Sequence, residues 1–265
     1  MSVDSRIEHL VSVAAPLWAG EAEVVRTYWT SPVRTARTDL RWLAGQCFKE
    51  FWGSGVSKYD MGGVFFGSLK NLLAAGPNID VSVDREEILS VVETFHAEYS
   101  HYCAFANCYD AIRPAGTPKM NPHDLQSWPE EDARTTTAIG HRKQYGDLGQ
   151  RATRFTEGGY CTLFSEGMKL QGRGGNEEKI AAACALVYED EFGHMLAGIV
   201  GIEKTGMRDA DWTLMESMVV EQLKQRVLMR NAQFSQPLSQ ARIDAIFRGE
   251  IEPIQFDFEK ARLAA

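Results

Sequence analysis

Residues 176–203 read NEEKIAAACALVYEDEFGHMLAGIVGIE. Asn176 is a helix-capping residue, and Glu177 and Glu178 fall in the first turn, where the helix dipole favours negative charge. Apolar residues then recur at spacings of three and four, the period of a helix with one face in a core. That stripe runs Ile180, Cys184, Val187, Glu191, Met195 and Gly198. Glu191 therefore sits in the middle of an apolar face. An ionised carboxylate there is costly unless it is paired or bound to metal.

The rest of the chain reads the same way. Residues 35–52 form a helical pattern stopped by Gly53-Ser54-Gly55, and a second runs from about Tyr59 to Ala75 and ends at Gly76-Pro77. Asp84 caps a long helix from Arg85 to about Ile112, with Glu86 and Glu87 in its first turn. Residues 113–134 carry Pro114, Pro118, Pro122 and Pro129 and are expected to form a loop or crossover. Helix is expected within 135–171 up to the Gly172-Arg173-Gly174-Gly175 break, then from Asn176 to about Glu203, Asp209 to Phe234 and Ser239 to Phe247. No strand alternation or fixed repeat appears. The expectation is an all-α fold in a single domain over 1–265.

Composition excludes several classes. Net charge is −8, with 28 Lys+Arg against 36 Asp+Glu, so no broad basic surface for nucleic acid or anionic lipid is expected. No run of eighteen apolar residues is present, so no membrane-spanning helix is expected. Residues Val11 to Ala19 are apolar but follow Asp4 and Glu8, unlike a signal peptide. Five cysteines without a Cys-x-x-Cys pair argue against a disulfide scaffold or cysteine zinc site and for a reducing cytoplasm.

Glu-x-x-His occurs three times, at Glu93/His96, Glu98/His101 and Glu191/His194. Residues three apart share a helix face, so each pair can reach one metal ion. Glu98 also lies on an apolar stripe, with Ile88, Val91, Phe95, Tyr102 and Phe105. Depth along the helices adds to this. Glu98 and Glu191 lie 14 and 15 residues past their caps. Counting 15 back from Gly172 lands on Glu157 and 16 back from Gly76 lands on Asp60, so at 1.5 Å per residue the four acids fall at about one level of a bundle. Glu50 is the substitute if Asp60 lies too near its helix start. Glu93 and His96 are expected at or near the surface, and Glu166, too near its helix end, outside the site.

The set Asp60, Glu98-x-x-His101, Glu157 and Glu191-x-x-His194 resembles the ferritin-like di-iron or di-manganese carboxylate proteins, over roughly residues 55–205. The Asp190/His194 pair is also similar to an arrangement in the haem-oxygenase-like di-iron oxidases, which stay open as the alternative helix arrangement. The resemblance implies a four-helix bundle with a long crossover and additional N- and C-terminal helices. It implies two Fe ions, with Mn or a mixed pair also compatible, and O2 as co-substrate. It makes Glu98 and Glu191 bridging ligands, with Asp60 and His101 completing one ion and Glu157 and His194 the other.

The activity implied is that of an oxygenase or oxidase acting on a small organic molecule by hydroxylation, N-oxygenation or oxidative cleavage. A ferroxidase or peroxide-scavenging protein and a non-enzymatic helical binding protein stay open beside it. Partners expected are the small-molecule substrate, an external electron donor and a second copy in a homodimer. Cys161, Tyr102, Tyr160 and Tyr188 are the candidates for lining the pocket. Gly158-Gly159 after Glu157 calls either for close packing or for space, or a π-bulge, beside a ligand.

Overall fold

The computed structural model describes residues 5–53, 64–200 and 206–263 and, within them, every side chain outside 64–69, 194–200 and 261–263, together with that of 158. The period of three and four builds helices throughout, and among the described residues there is no strand, only a single bridge between Ile79 and Val83. The N-terminal apolar stretch belongs to a long helix, α1 (Ser5–Trp29), with Trp18 and Tyr28 fully buried. Helix α2 (Ala36–Phe48) starts at a capping box, Thr35 and Thr38 bonding each other's backbone N–H. It then widens into a π-helical turn, Lys49–Gly53. Helix α3 (Val64–Ala75) ends at Gly76 as expected, while its expected beginning near Tyr59 lies outside the described residues.

Helix α4 (Arg85–Ile112) has Asp84 as its cap, the carboxylate accepting from the Glu86 N–H. The stretch expected to be irregular, 113–134, is shorter: α5 (Pro129–Tyr145) begins at Pro129, where a missing N–H costs nothing at the first helical position. The single helix expected up to Gly172 is three pieces, α5, α6 (Asp147–Thr156) and α7 (Thr162–Met168). Gly146, with φ +56°, breaks the first junction, and a left-handed turn makes the second. Helices α8 (Gly175–Val200), α9 (Asp209–Gln233) and α10 (Gln240–Phe247) fall where the sequence reading puts them, and α11 (Phe258–Leu263) follows.

One contiguous apolar core joins α1, α2, α4, α6, α7, α8 and α9. Its centre is aromatic: Trp29, Trp42 and Phe234 meet edge-on or tilted, with ring centroids 5.2 to 5.8 Å apart. Helix α4 packs on α2 and α8, and α8 packs on α6 and α7. Those segments, from α2 with its π turn to α8, border a cavity. Helices α1 and α9 pack against each other and tie the outside of this group through buried charge. Glu21 of α1 accepts from Arg226 Nε at 2.8 Å and Arg230 Nε at 2.9 Å, both on α9.

No described helix is long and apolar enough to cross a membrane.

Candidate metal centre

The cavity has a volume of about 110 Å³ and is lined by Glu50, Glu98, Glu157 and Glu191, each from a different segment. Glu50 comes from the π turn, Glu98 from α4, Glu157 from the end of α6 and Glu191 from α8. Three of the acids proposed from spacing thus meet, and the fourth is Glu50. Asp60 lies outside the described residues. Glu50 reaches the cavity from the π turn that follows α2. Short π segments often mark functional sites. The one near Glu157 that the sequence suggested is instead at Glu50.

The four carboxylates are not tied up by cations. None lies within ion-pair distance of an Arg or Lys among the described residues; their one charged-type contact is His101. The same chain disposes of other buried glutamates differently. Glu21 is gripped by two arginines, Glu131 by Arg134, and Glu166 by Arg26 and Lys169. Glu166 is accordingly outside the site, as the sequence implied. Arginine and lysine satisfy the structural acids, and the cavity acids are left facing one another.

His101, 1% exposed, stands between them. Its Nε2 lies 2.8 Å from Asp190 Oδ2, and its Nδ1 lies 3.5 Å from Glu191 Oε1 and 3.9 Å from Glu50 Oε2. In the tautomer that donates its Nε2 hydrogen to Asp190 Oδ2, Nδ1 presents a lone pair. That Nδ1 is buried and has no hydrogen-bond partner. A lone pair facing two carboxylate oxygens repels them unless a proton or cation lies between. Ligand atoms of Glu50, Glu98 and His101 lie within 4.8 Å of one another, little more than twice a metal–ligand bond of about 2.0–2.2 Å. These residues fit a bound divalent cation. The Asp190–His101 contact resembles the carboxylate–imidazole pairs that orient histidine ligands in metal sites.

Electrostatics agree. Burial, and then the charges of Glu50, Glu157 and Asp190, raise the Glu98 carboxyl to about 8. Burial, followed by Glu157, Glu50 and Glu98, drives Glu191 well above the carboxylate range, against some relief from Arg226. On the other wall, burial and the neighbouring Arg230 and Arg226 push the Lys49 ammonium well below its ordinary value. Gln46 donates from Nε2 to Glu50 and accepts from Arg230 Nη1 at 3.1 Å, which fixes the Glu50 carboxylate.

Glu157 ends its helix instead of lying within one. Gly159, Tyr160 and Cys161 follow with φ of +51°, +54° and +54°, a left-handed turn whose two non-glycine members cost about 1–2 kcal/mol each. Close packing explains Gly159: a Cβ there would stand 2.2 Å from both Arg226 Nε and Glu21 Oε2. No open space lies beside it.

The turn also sets where two of the pocket candidates lie. It carries Tyr160 away from the cavity, onto Trp18, Phe192 and Phe256, and seats Cys161 in the core, where burial and then Glu191 push its thiol up. Tyr188 stacks on Phe192 beneath Lys260, and Tyr102 packs on Phe51. None of the four lines the cavity; Lys49, Arg134, Thr153, Thr156, Phe164 and Arg226 do. His194 lies in α8, but its side chain falls outside the described ones. Glu93 and His96 are exposed and line an open groove together with His101 and Asp190.

The sequence reading missed Asp190 as the partner of His101 and Lys49 as a cavity residue. Asp190 flanks Glu191 and was paired with His194 by spacing alone. Replacing Asp190 with Asn should weaken metal binding about 10–100-fold with the helices intact, measured by competition with a chelating dye. Unchanged affinity would show that His101 needs no such support.

No family model matches the chain, and no curated protein or solved structure matches it.

Proposed function

We propose that the cavity holds a carboxylate-rich dinuclear centre of the ferritin-like kind, iron or manganese, that activates dioxygen to oxidise a small organic substrate. The observation that supports this reading is four glutamates lining one cavity without an Arg or Lys ion pair among the described residues, with the buried Nδ1 of His101 beside Glu50 and Glu191. Oxygen donors with few imidazoles suit iron and manganese better than copper or zinc. Glu50, Glu98 and His101 would hold one ion, and Glu157 and Glu191 the second, with His194 added by its i+3 spacing from Glu191. A pair of such ions, when bound, supplies the two electrons that dioxygen needs for activation.

The chain's own residues do the rest. Asp190 keeps the His101 Nδ1 aimed inward. Gln46 and Arg230 hold Glu50 in place. Thr156 donates to the Thr153 carbonyl at 2.9 Å, within 3.1 Å of Gln222 Oε1, which stiffens the wall beside Glu157. Phe164 supplies an apolar surface.

Binding should release protons. Glu98 titrates at about 8, so at pH 7 it is mostly protonated in the metal-free fold, and Glu191 is displaced the same way. Ligation requires both as carboxylates. Manganese added at pH 7 should therefore release about one to two protons per chain, read by calorimetry in buffers of different ionisation heat. No proton release on binding would contradict the assignment of these two acids.

The function itself is tested with ferrous-loaded protein in an oxygen electrode. An organic substrate that stimulates oxygen uptake and is converted mole for mole supports the reading. Uptake that follows added ferrous ion alone, far beyond two per chain, would replace it with a ferroxidase.

A further inference from the structure

Thr156, which lines the cavity one residue before Glu157, is the inner end of a hydrogen-bonded chain that runs across three helices to solvent. Its hydroxyl lies 3.1 Å from Gln222 Oε1 on α9. Gln222 Nε2 lies 3.0 Å from His141 Nδ1 on α5, and His141 Nε2 lies 3.2 Å from Glu221 Oε2. Thr156 and Gln222 are buried, while the Glu221 side chain is 55% exposed. The chain therefore meets the cavity at one end and exchanges protons with water at the other.

Each link fixes the direction of the next. An imidazole with its hydrogen on Nε2 donates to Glu221, so Nδ1 accepts from the Gln222 amide nitrogen and Oε1 faces Thr156. The Thr156 hydroxyl then has one hydrogen for two acceptors, Oε1 and the Thr153 carbonyl at 2.9 Å. A protonated imidazole donates from both nitrogens, so its Nδ1–H would meet the amide N–H and leave two enclosed donors unsatisfied. A half-turn of the amide removes the conflict. Oε1 then accepts from Nδ1–H, Nε2 donates to Thr156, and the Thr156 hydrogen goes to the Thr153 carbonyl. Every contact in that arrangement has its own hydrogen.

We infer that His141 is a pH sensor for the cavity: its protonation turns over the Gln222 amide and converts the Thr156 hydroxyl from a donor to Gln222 into an acceptor from it. Among the described residues the charged partner of His141 is Glu221, from α9. Helix α6, also packed on α5, brings Gly149 against the His141 backbone carbonyl, and its Asp147 and Arg151 bond each other at 2.7 Å. On α5 itself the Tyr145 ring lies 6.2 Å from the imidazole, with Arg142 and Lys143 next in sequence. With His141 neutral, both lone pairs of the Thr156 oxygen are open to a hydrogen donor in the cavity; with His141 charged, Gln222 takes one. The inference stands on this chain alone and holds for any occupant of the cavity.

The test uses the full chain without added metal, its histidine rings and threonine methyls labelled with carbon-13. NMR spectra are taken from about pH 8 to pH 5, the interval in which histidine ordinarily takes up its proton. The two signals are identified by their loss in His141→Gln and Thr156→Ser. The Thr156 methyl should shift with the same midpoint as the His141 ring, and that shift should be lost in His141→Gln. Gln222→Leu should leave His141 titrating and the methyl unmoved. A methyl shift that persists in either variant overturns the inference, because Thr156 then follows the cavity acids directly. So does a wild-type His141 that takes up its proton without moving Thr156, or one that stays neutral down to pH 5. If Gln222→Leu does not fold, His141→Gln, at the outer end of the chain, decides the matter alone. Metal plays no part in the readout, so failure of the dinuclear reading and failure of this inference are separate results.

Discussion

Glu191→Gln is expected to bind metal about 100-fold more weakly or worse, to lose at least one of two ions, and to melt at a higher temperature than wild type when metal-free. The two effects have one cause. Loss of an outer-shell partner costs a metal site about 10–100-fold, and loss of a direct ligand is expected to cost at least the upper end of that range. Without metal, Glu191 is a buried acid facing Glu157, Glu50 and Glu98. Its folded-state pKa is raised above the unfolded one, so folding at neutral pH must either take up a proton or bury a charge. A tenfold difference in proton affinity between the two states is worth about 1.4 kcal/mol. Glutamine keeps the shape and removes that cost, so a higher melting temperature is expected at pH 7–8.

The sign gives a pH signature. An acid with a raised folded-state pKa binds more protons folded than unfolded, so stability falls as pH rises through that interval. For Glu98 the interval runs from 4.5 to about 8. Metal-free wild type should lose stability from about pH 5 to pH 8, Glu191→Gln should lose less, and bound manganese should flatten the curve. A metal-free Glu191→Gln protein less stable than wild type at pH 8 would show that the acid has a structural role instead.

Glu21→Gln is expected to do the reverse, destabilising the fold by about 3–5 kcal/mol whether or not metal is present. Burial alone would raise the Glu21 carboxyl, but Arg226 and Arg230 outweigh it and hold it below the usual range. Removing the carboxylate leaves two guanidinium groups side by side, one of them fully buried. The melting temperature should drop by roughly 10 °C. The control is Glu23→Gln, whose partner Arg242 is partly exposed and where about 1 kcal/mol or less is expected. Equal effects at Glu21 and Glu23 would remove the special role given to the α1–α9 charge cluster.

How much of this could be read beforehand follows from the range of each signal. Helix caps are local, so Asp84, Ser239 and the Gly76 stop lie where spacing and residue type put them. Glu98, His101 and Glu191 were legible because a charged group inside an apolar stripe is conspicuous within a dozen residues. Glu157 was legible by counting, although the counting assumed a continuous helix that the turn at Gly159 interrupts. Glu50 was only the substitute: a π turn depends on what surrounds it, and the glycines after Trp52 read simply as a stop. Glu21 meets Arg226 across 205 residues, and no local pattern announces a pairing at that separation. Lys49 was overlooked for a related reason. A lysine at a helix end normally reaches water, and only the packed structure buries it among Arg226, Arg230 and Glu131.

The most direct test of the central claim is a metal count. The full chain, stripped with chelator and reloaded anaerobically with excess ferrous ion, then desalted, should retain about two irons per chain by mass spectrometry; His101→Ala should retain at most one, and Glu166→Ala should match wild type. Retention of no more than a trace of iron or manganese by wild type, or equal retention in His101→Ala, would contradict the account.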